Sequence, residues 1–172
     1  MNEPKLGRKI PSRILPPVPK GKSLVLYFYP KDLTSGCTAE GLDFKALHRG
    51  FTSAGAVVRG VSRDSDASHA KFRAKHGFPF ALIADESSAL CDAFGVVKLK
   101  SLYGRKYMGI ERSTFLIAKD GTLAREWRKV KVAGHAAEVL EAARGLRMPL
   151  KAKPAAKAPR KKTAARRRRS TR

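Results

Sequence analysis

Cys37 stands where a short apolar run gives way to a polar loop, in the segment Tyr27-Phe28-Tyr29-Pro30-Lys31-Asp32-Leu33-Thr34-Ser35-Gly36-Cys37-Thr38-Ala39-Glu40. Read as structure, a buried strand ends at a proline, a loop follows, and the cysteine opens a helix. The free N–H groups and partial positive charge of a helix start favour thiolate over thiol, and the thiolate is the nucleophile. Thr34, three residues earlier, has a hydroxyl that can turn toward the sulfur. Glu40, about one turn later, shares the same helix face. The chemistry open to this group is nucleophilic attack by sulfur. Taken alone, a cysteine at a helix start also fits an inert, packed thiol.

The elements that must carry these residues follow from the flanking sequence. Residues 1–22 are rich in proline and basic side chains, and Pro11, Pro16, Pro17 and Pro19 rule out regular helix, so an extended lead-in is expected. Leu24 to Tyr29 (LVLYFY), stopped by Pro30, and Ala56 to Val61 (AVVRGV) read as buried strands. Between them Leu42, Phe44 and Leu47 predict a helix from Gly36 to about Ser53, with Gly55 as breaker. A helix capped by Asp64 or Ser65 runs to His76 and ends at Gly77. Phe80 to Ile83 is a third strand, and Asp85 precedes a short helix, Glu86 to Phe94, closed by Gly95. Arg112 to Ala118 and Leu123 to Lys129 flank Lys119-Asp120-Gly121, a hairpin signal. Ala136, Val139, Leu140 and Ala143 predict a helix over 135–144. Strands alternating with helices, then a hairpin, predict an α/β fold with a central mixed β-sheet flanked by helices. A thioredoxin-like fold is the natural arrangement, and a flavodoxin-like one stays open at this point.

The chain has 172 residues and 42% hydrophobic content, enough for one domain with a packed core. Its charge is the outlier, with 37 Lys plus Arg against 14 Asp plus Glu, a net +23. Eleven of those basic residues and no acidic one fall from Lys151 onward, so residues 1–150 keep 26 basic against 14 acidic, or +12. From Lys151 the sequence holds only Lys, Arg, Ala, Pro, Thr and Ser, with no large apolar side chain to offset the entropy of ordering. The expected organisation is a lead-in over 1–22, a folded domain over 23–148 and a disordered basic tail over 149–172.

Two cysteines, Cys37 and Cys91, make no C-x-x-C pair, which argues against a zinc ribbon or a dithiol redox motif. No apolar run has the length of a membrane span or a signal-peptide core, so the expected location is the cytoplasm, where thiols stay reduced. His48, His69, His76 and His135 lack metal-ligand spacing, and no Gly-rich phosphate loop appears, so neither metal nor nucleotide cofactor is expected. His69 and His76, seven apart on one predicted helix, are expected to face solvent. Trp127 is expected in the core or at a pocket edge.

Pro30, Thr34 and Cys37 form P-x-x-x-T-x-x-C, which resembles the peroxidatic signature of the peroxiredoxins. The longer YFYPKDxTxGCTxE is similar to the subgroup called peroxiredoxin Q or bacterioferritin comigratory protein. Gly60 to Ser65, Lys106 to Phe115 and Trp127 to Val132 resemble that subgroup in the same order, and the likeness runs from about Lys20 to Arg147. It implies a thioredoxin-like fold and a thiol peroxidase that reduces hydrogen peroxide and organic hydroperoxides to water and alcohols. By the same resemblance, Cys37 is the peroxidatic cysteine, passing through sulfenic acid. Thr34 supplies the hydroxyl that bonds sulfur and peroxide, Arg112 the guanidinium that stabilises thiolate and developing charge, and Pro30 the shield of the pocket. The reductant implied is an external thiol such as thioredoxin, glutaredoxin or a low-molecular-weight thiol, and the implied oligomeric state is a monomer.

The sequence departs from that pattern in three places. The family's resolving cysteine falls at Leu42 in many members and at the position of Arg73 in others, so both usual sites are empty. Cys91 matches an additional cysteine that is not the resolver and is expected as a small buried hydrophobe. A one-cysteine cycle follows. The N-terminal segment is too short and proline-broken for the family's extra hairpin, so one sheet edge or one end of the body is expected to be more exposed. The tail resembles those of histone-like nucleic-acid binders in composition only, and electrostatics predicts salt-sensitive, non-specific binding to phosphate backbones through residues 151–172. Two other functions fit part of the sequence. A thiol–disulfide oxidoreductase is opposed by the missing C-x-x-C, and a basic nucleic-acid-associated protein with a secondary or vestigial thiol site is opposed by the intact Pro30, Thr34, Cys37 and Arg112 set.

Overall fold

A computed structural model describes residues 3–147; the expected basic tail lies outside the described residues. The strand β1 (Ser23–Phe28) is buried at every position and forms the centre of a five-stranded sheet. Its parallel neighbour is β2 (Ala56–Ser62), with Leu24 opposite Val57, and β3 (Ala81–Ala84) extends that side. On its other flank lies β6 (Ser113–Ile117), antiparallel with Phe28 opposite Ser113, followed by β7 (Leu123–Trp127). The order is β3-β2-β1-β6-β7. The antiparallel pair beside the central strand is what a doubly wound parallel sheet lacks, so the flavodoxin-like alternative falls away and the thioredoxin-like one holds.

Because successive side chains of a strand point to opposite faces, β1 divides the interior into two cores. Val25, Tyr27 and Tyr29 pack with Cys37, Phe44, Phe51, Phe72, Val139 and Leu140 on one side. Leu24, Leu26 and Phe28 pack with Ile10, Cys91, Phe94, Phe115 and Leu123 on the other. The first core is roofed by α1 (Ser35–Ala46), α2 (His48–Ser53), α3 (Asp66–His76) and α5 (His135–Arg147). The expected single helix from Gly36 is thus divided at Leu47, whose φ of −93° and ψ of 4° leave the helical region. Gly41 is required where α1 crosses Phe78, since a Cβ there would come within 2.6 Å of the ring. Ser65 caps α3 by accepting from the Ser68 N–H, and Gly77, at φ 61°, ends it.

The second core is covered by α4 (Ala89–Ala93), by the lead-in and by a two-stranded ribbon of β4 (Val97–Leu102) and β5 (Arg105–Ile110). The ribbon has no counterpart in the sequence reading. The expected helix over 86–94 shortens to α4, whose Leu90 and Cys91 N–H groups are taken by the Asp85 carboxylate. The lead-in does not run extended. It folds into turns, buries Ile10, packs Ile14, Leu15 and Val18 on the core, and pairs with the start of β7 through a Lys9–Thr122 bridge. Among the described residues no helix is long and apolar enough to cross a membrane.

Candidate active site

The end of β1 and the start of β6 lie side by side, and this register brings Cys37 and Arg112 together from far apart in the chain. After Phe28, Tyr29 donates its N–H to Val61, the chain bends at exposed Pro30, and Asp32 turns inward. The Asp32 N–H bonds the Asp64 carboxylate at 2.8 Å. Its own carboxylate accepts from the Tyr29 hydroxyl at 2.7 Å and the Ser68 hydroxyl at 2.8 Å, and meets His69 Nδ1 at 2.8 Å. Burial opposes the charge on both partners of this pair. The mutual contact prevails, holding Asp32 below the usual carboxylate range and His69 above the usual imidazole range. His69 is therefore buried, not solvent-facing, and His76 is half-buried. The anchored loop passes through Leu33 at φ 60° and delivers Cys37, 2% exposed, into the first turn of α1.

Arg112 follows β5 and precedes β6, with its carbonyl held by the Val130 N–H at 3.0 Å. One guanidinium nitrogen, Nη2, donates to Cys37 Sγ at 3.3 Å, and the other, Nη1, bonds Glu40 Oε2. The fork thus spans one helical turn, from the sulfur to the carboxylate below it. Glu40 is 1% exposed, and burial pushes its carboxyl up to about 7 against the opposing pull of Arg112. Its Oε1 has no hydrogen-bond partner among the described residues.

Of the residues marked by the sequence, Cys37 and Arg112 come into contact. Thr34 stands at the cap of α1, but its hydroxyl donates to the Lys31 carbonyl at 3.0 Å rather than to the sulfur. Pro30 lies exposed at the loop's entry. Leu42 and Arg73 are both exposed. Cys91 is fully buried in the core across the sheet, where burial first and then Asp85 push its thiol up. Trp127 is half-buried, its indole N–H donating to Glu138 at 2.8 Å and its ring edge-on to His135. His135 is buried against Thr114 at 2.8 Å, and burial brings it down to about 4. Glu40 stands out in the sequence only as a neighbour on the helix face, and nothing there marks the Asp32–His69 pair. The available signal for burial of His69 was spacing, because His69, Phe72 and His76 repeat at the interval of a core-facing helix stripe.

Residues 12–126 match the model of the AhpC/TSA family. The chain is 57% identical over 122 residues to a protein named peroxiredoxin Bcp from Bacillus subtilis, covering 71% of this chain and 78% of the relative. A peroxiredoxin Bcp from Xanthomonas campestris is 59% identical over 122 residues, covering 71% and 76%. A solved structure of the Xanthomonas campestris bacterioferritin comigratory protein, studied for alkyl peroxide reduction, superposes with a TM-score of 0.71 at 55% identity, covering 74% of this chain and 82% of that one. The chain belongs to the peroxiredoxins of the Bcp, or peroxiredoxin Q, group. A peroxiredoxin is a thiol peroxidase, an enzyme that takes a peroxide and is restored by a thiol. The thioredoxin-like sheet is the scaffold on which this peroxiredoxin presents Cys37 beside Arg112.

Proposed function

We propose that this peroxiredoxin reduces hydrogen peroxide and organic hydroperoxides by a one-cysteine cycle centred on Cys37. The contact of the Arg112 guanidinium with Cys37 Sγ at 3.3 Å carries the reading. The Cys37 thiolate attacks the terminal peroxide oxygen, the O–O bond breaks, and the leaving oxygen takes a proton as water or alcohol while sulfur becomes sulfenic acid. Arg112 donates to the anionic sulfur and to the negative charge that grows on the peroxide oxygens. Thr34 bonds the incoming peroxide, which requires its hydroxyl to release the Lys31 carbonyl or to accept from the peroxide O–H. Pro30 limits water at the loop's entry. An external thiol, from thioredoxin, glutaredoxin or a small molecule, then attacks the sulfenic acid with loss of water, and a second thiol frees Cys37 from the mixed disulfide.

The absence of an internal partner is supported by Leu42 and Arg73 at the usual resolver positions and by Cys91 packing in the opposite core. Two free, buried thiols suit a reducing compartment, so the reading puts the enzyme in the cytoplasm, as a monomer that sedimentation would reveal. Peroxide consumption by wild type and by Cys37→Ser, with each class of thiol donor supplied, tests the cycle. Turnover surviving that substitution overturns it.

A second reading rests on the eleven basic residues from Lys151 onward, which carry no acidic neighbour. Such a segment binds phosphate backbones by counterion release, with steep salt dependence and no base preference. In this reading the peroxidase is held near nucleic acid by its tail.

A further inference from the structure

We propose that the β4–β5 ribbon is a contact for single-stranded nucleic acid. The inference goes beyond the peroxidase reading and is independent of the tail. Eight large apolar side chains are exposed among those described, and four of them, Leu99, Tyr103, Tyr107 and Met108, lie on this one ribbon. Interleaved with them are Lys98, Lys100, Arg105 and Lys106, and from Val97 to Ile110 there is no carboxylate. Ordinary surface strands mix both charges and keep large rings covered, so this concentration needs a partner.

The geometry fits stacking. Tyr103 and Gly104 form the two-residue turn, with φ of 48° and 77°. Such a turn favours Asn-Gly or Asp-Gly, and a tyrosine in left-handed backbone is an unfavourable choice that puts its ring at the tip, 97% exposed. The Tyr107 ring lies close against Gly109, since a Cβ on that glycine would come within 2.8 Å of the ring and 3.1 Å of the Lys100 side chain. The glycine leaves room for an aromatic platform with a lysine stem beside it. Lys98 reaches only the exposed Glu3, at 3.8 Å, a pair that water and salt screen. Arg105 and Lys106 have no ion pair among the described residues. Arg63 Nη2 bonds the Met108 carbonyl at 2.8 Å and ties the ribbon to the loop after β2.

Exposed rings between cations are what unpaired bases and their phosphates require, and a duplex offers no base faces to stack on. A second copy of the chain is a poor occupant, because two all-cationic ribbons repel. An anionic membrane is disfavoured by the placement of the apolar groups, with Leu99 and Met108 paired on one face, Tyr107 on the other and Tyr103 at the tip.

The test uses the full chain and a labelled oligo(dT) beside a duplex of equal length and phosphatidylglycerol vesicles, titrated at low and high salt. The double substitution Tyr103→Ala, Tyr107→Ala should weaken oligo(dT) binding about tenfold or more at each salt concentration, while duplex binding moves by less than about twofold. Peroxide turnover, unchanged in the variant, reports that the fold is intact. Oligo(dT) affinity equal to wild type overturns the proposal. So does an equal loss for duplex and single strand, or a loss confined to phosphatidylglycerol vesicles.

Discussion

Cys37 and Cys91 lie in different cores on opposite faces of the central strand, one in the core of Tyr27 and Tyr29, the other in that of Leu26 and Phe28. A disulfide needs α-carbons within about 7 Å, and here a buried sheet intervenes. Oxidation by one equivalent of peroxide should therefore add one oxygen to Cys37 and leave Cys91 a free thiol. Intact-mass analysis with thiol trapping reads this directly, and an intramolecular Cys37–Cys91 disulfide in high yield would show that the sheet opens during turnover.

Arg112 uses both prongs of its fork, one on sulfur and one on Glu40. Lysine keeps the charge but cannot make both bonds in fixed geometry. Arg112→Lys should lower the second-order rate of sulfenic acid formation by about 10²-fold or more, as loss of a preorganised donor does. Rapid-mixing measurements with excess peroxide isolate that step from thiol recycling, and a rate near wild type would show that the charge alone, not the two-pronged geometry, serves the reaction.

The central mixed sheet and the ends of α3 were legible because apolar runs and cap residues act locally. LVLYFY and AVVRGV can only be buried strands, and Ser65 and Gly77 bracket α3 where the sequence puts them. The β4–β5 ribbon was not legible, because KLKSLYGRKYM offers neither a clean alternation nor the usual turn pair. Cys37 and Arg112 stand 75 residues apart, a distance no periodicity bridges, and only resemblance linked them. His69 looked like a surface residue because sequence does not reveal that Asp32, from a loop 37 residues earlier, will neutralise it.

Glu40 should make stability depend on pH. Its carboxyl is pushed up to about 7 by burial, so the folded state holds the proton more tightly than the unfolded chain does. Glu40's favourable contribution is full below about pH 4.3, the free carboxyl value, and is lost as pH rises through about 7. Chemical denaturation from pH 5 to pH 8 should show wild type losing on the order of 3 kcal/mol relative to Glu40→Gln. Parallel profiles for the two proteins would contradict this assignment.

The Asp32–His69 pair runs both ways. Asp32 is held low, so its stabilisation is present above about pH 3.9 and fades in acid, and His69 is held high, so its stabilisation is present below about pH 6.5 and fades as pH rises through its folded value. The pair is strongest between those limits. Removing one partner strands a buried charge, so His69→Ala should cost about 3 kcal/mol at pH 6. Because Asp32 pins the loop to Cys37, the same variant should also slow peroxide reaction, measurable under conditions where it remains folded.

The tail can be separated from the chemistry. The residues proposed for the chemistry all lie between Pro30 and Arg112, whereas the segment from Lys151 is cationic without apolar anchors. Deleting residues 151–172 should leave peroxide turnover within about twofold and shift retention on duplex DNA to lower salt, as expected when many phosphate contacts disappear together. If the tail instead packs on the body, truncation will lower the denaturation midpoint and turnover together. Retention unchanged by the deletion would assign the basic charge of residues 1–150, not the tail, to whatever nucleic-acid binding the enzyme has.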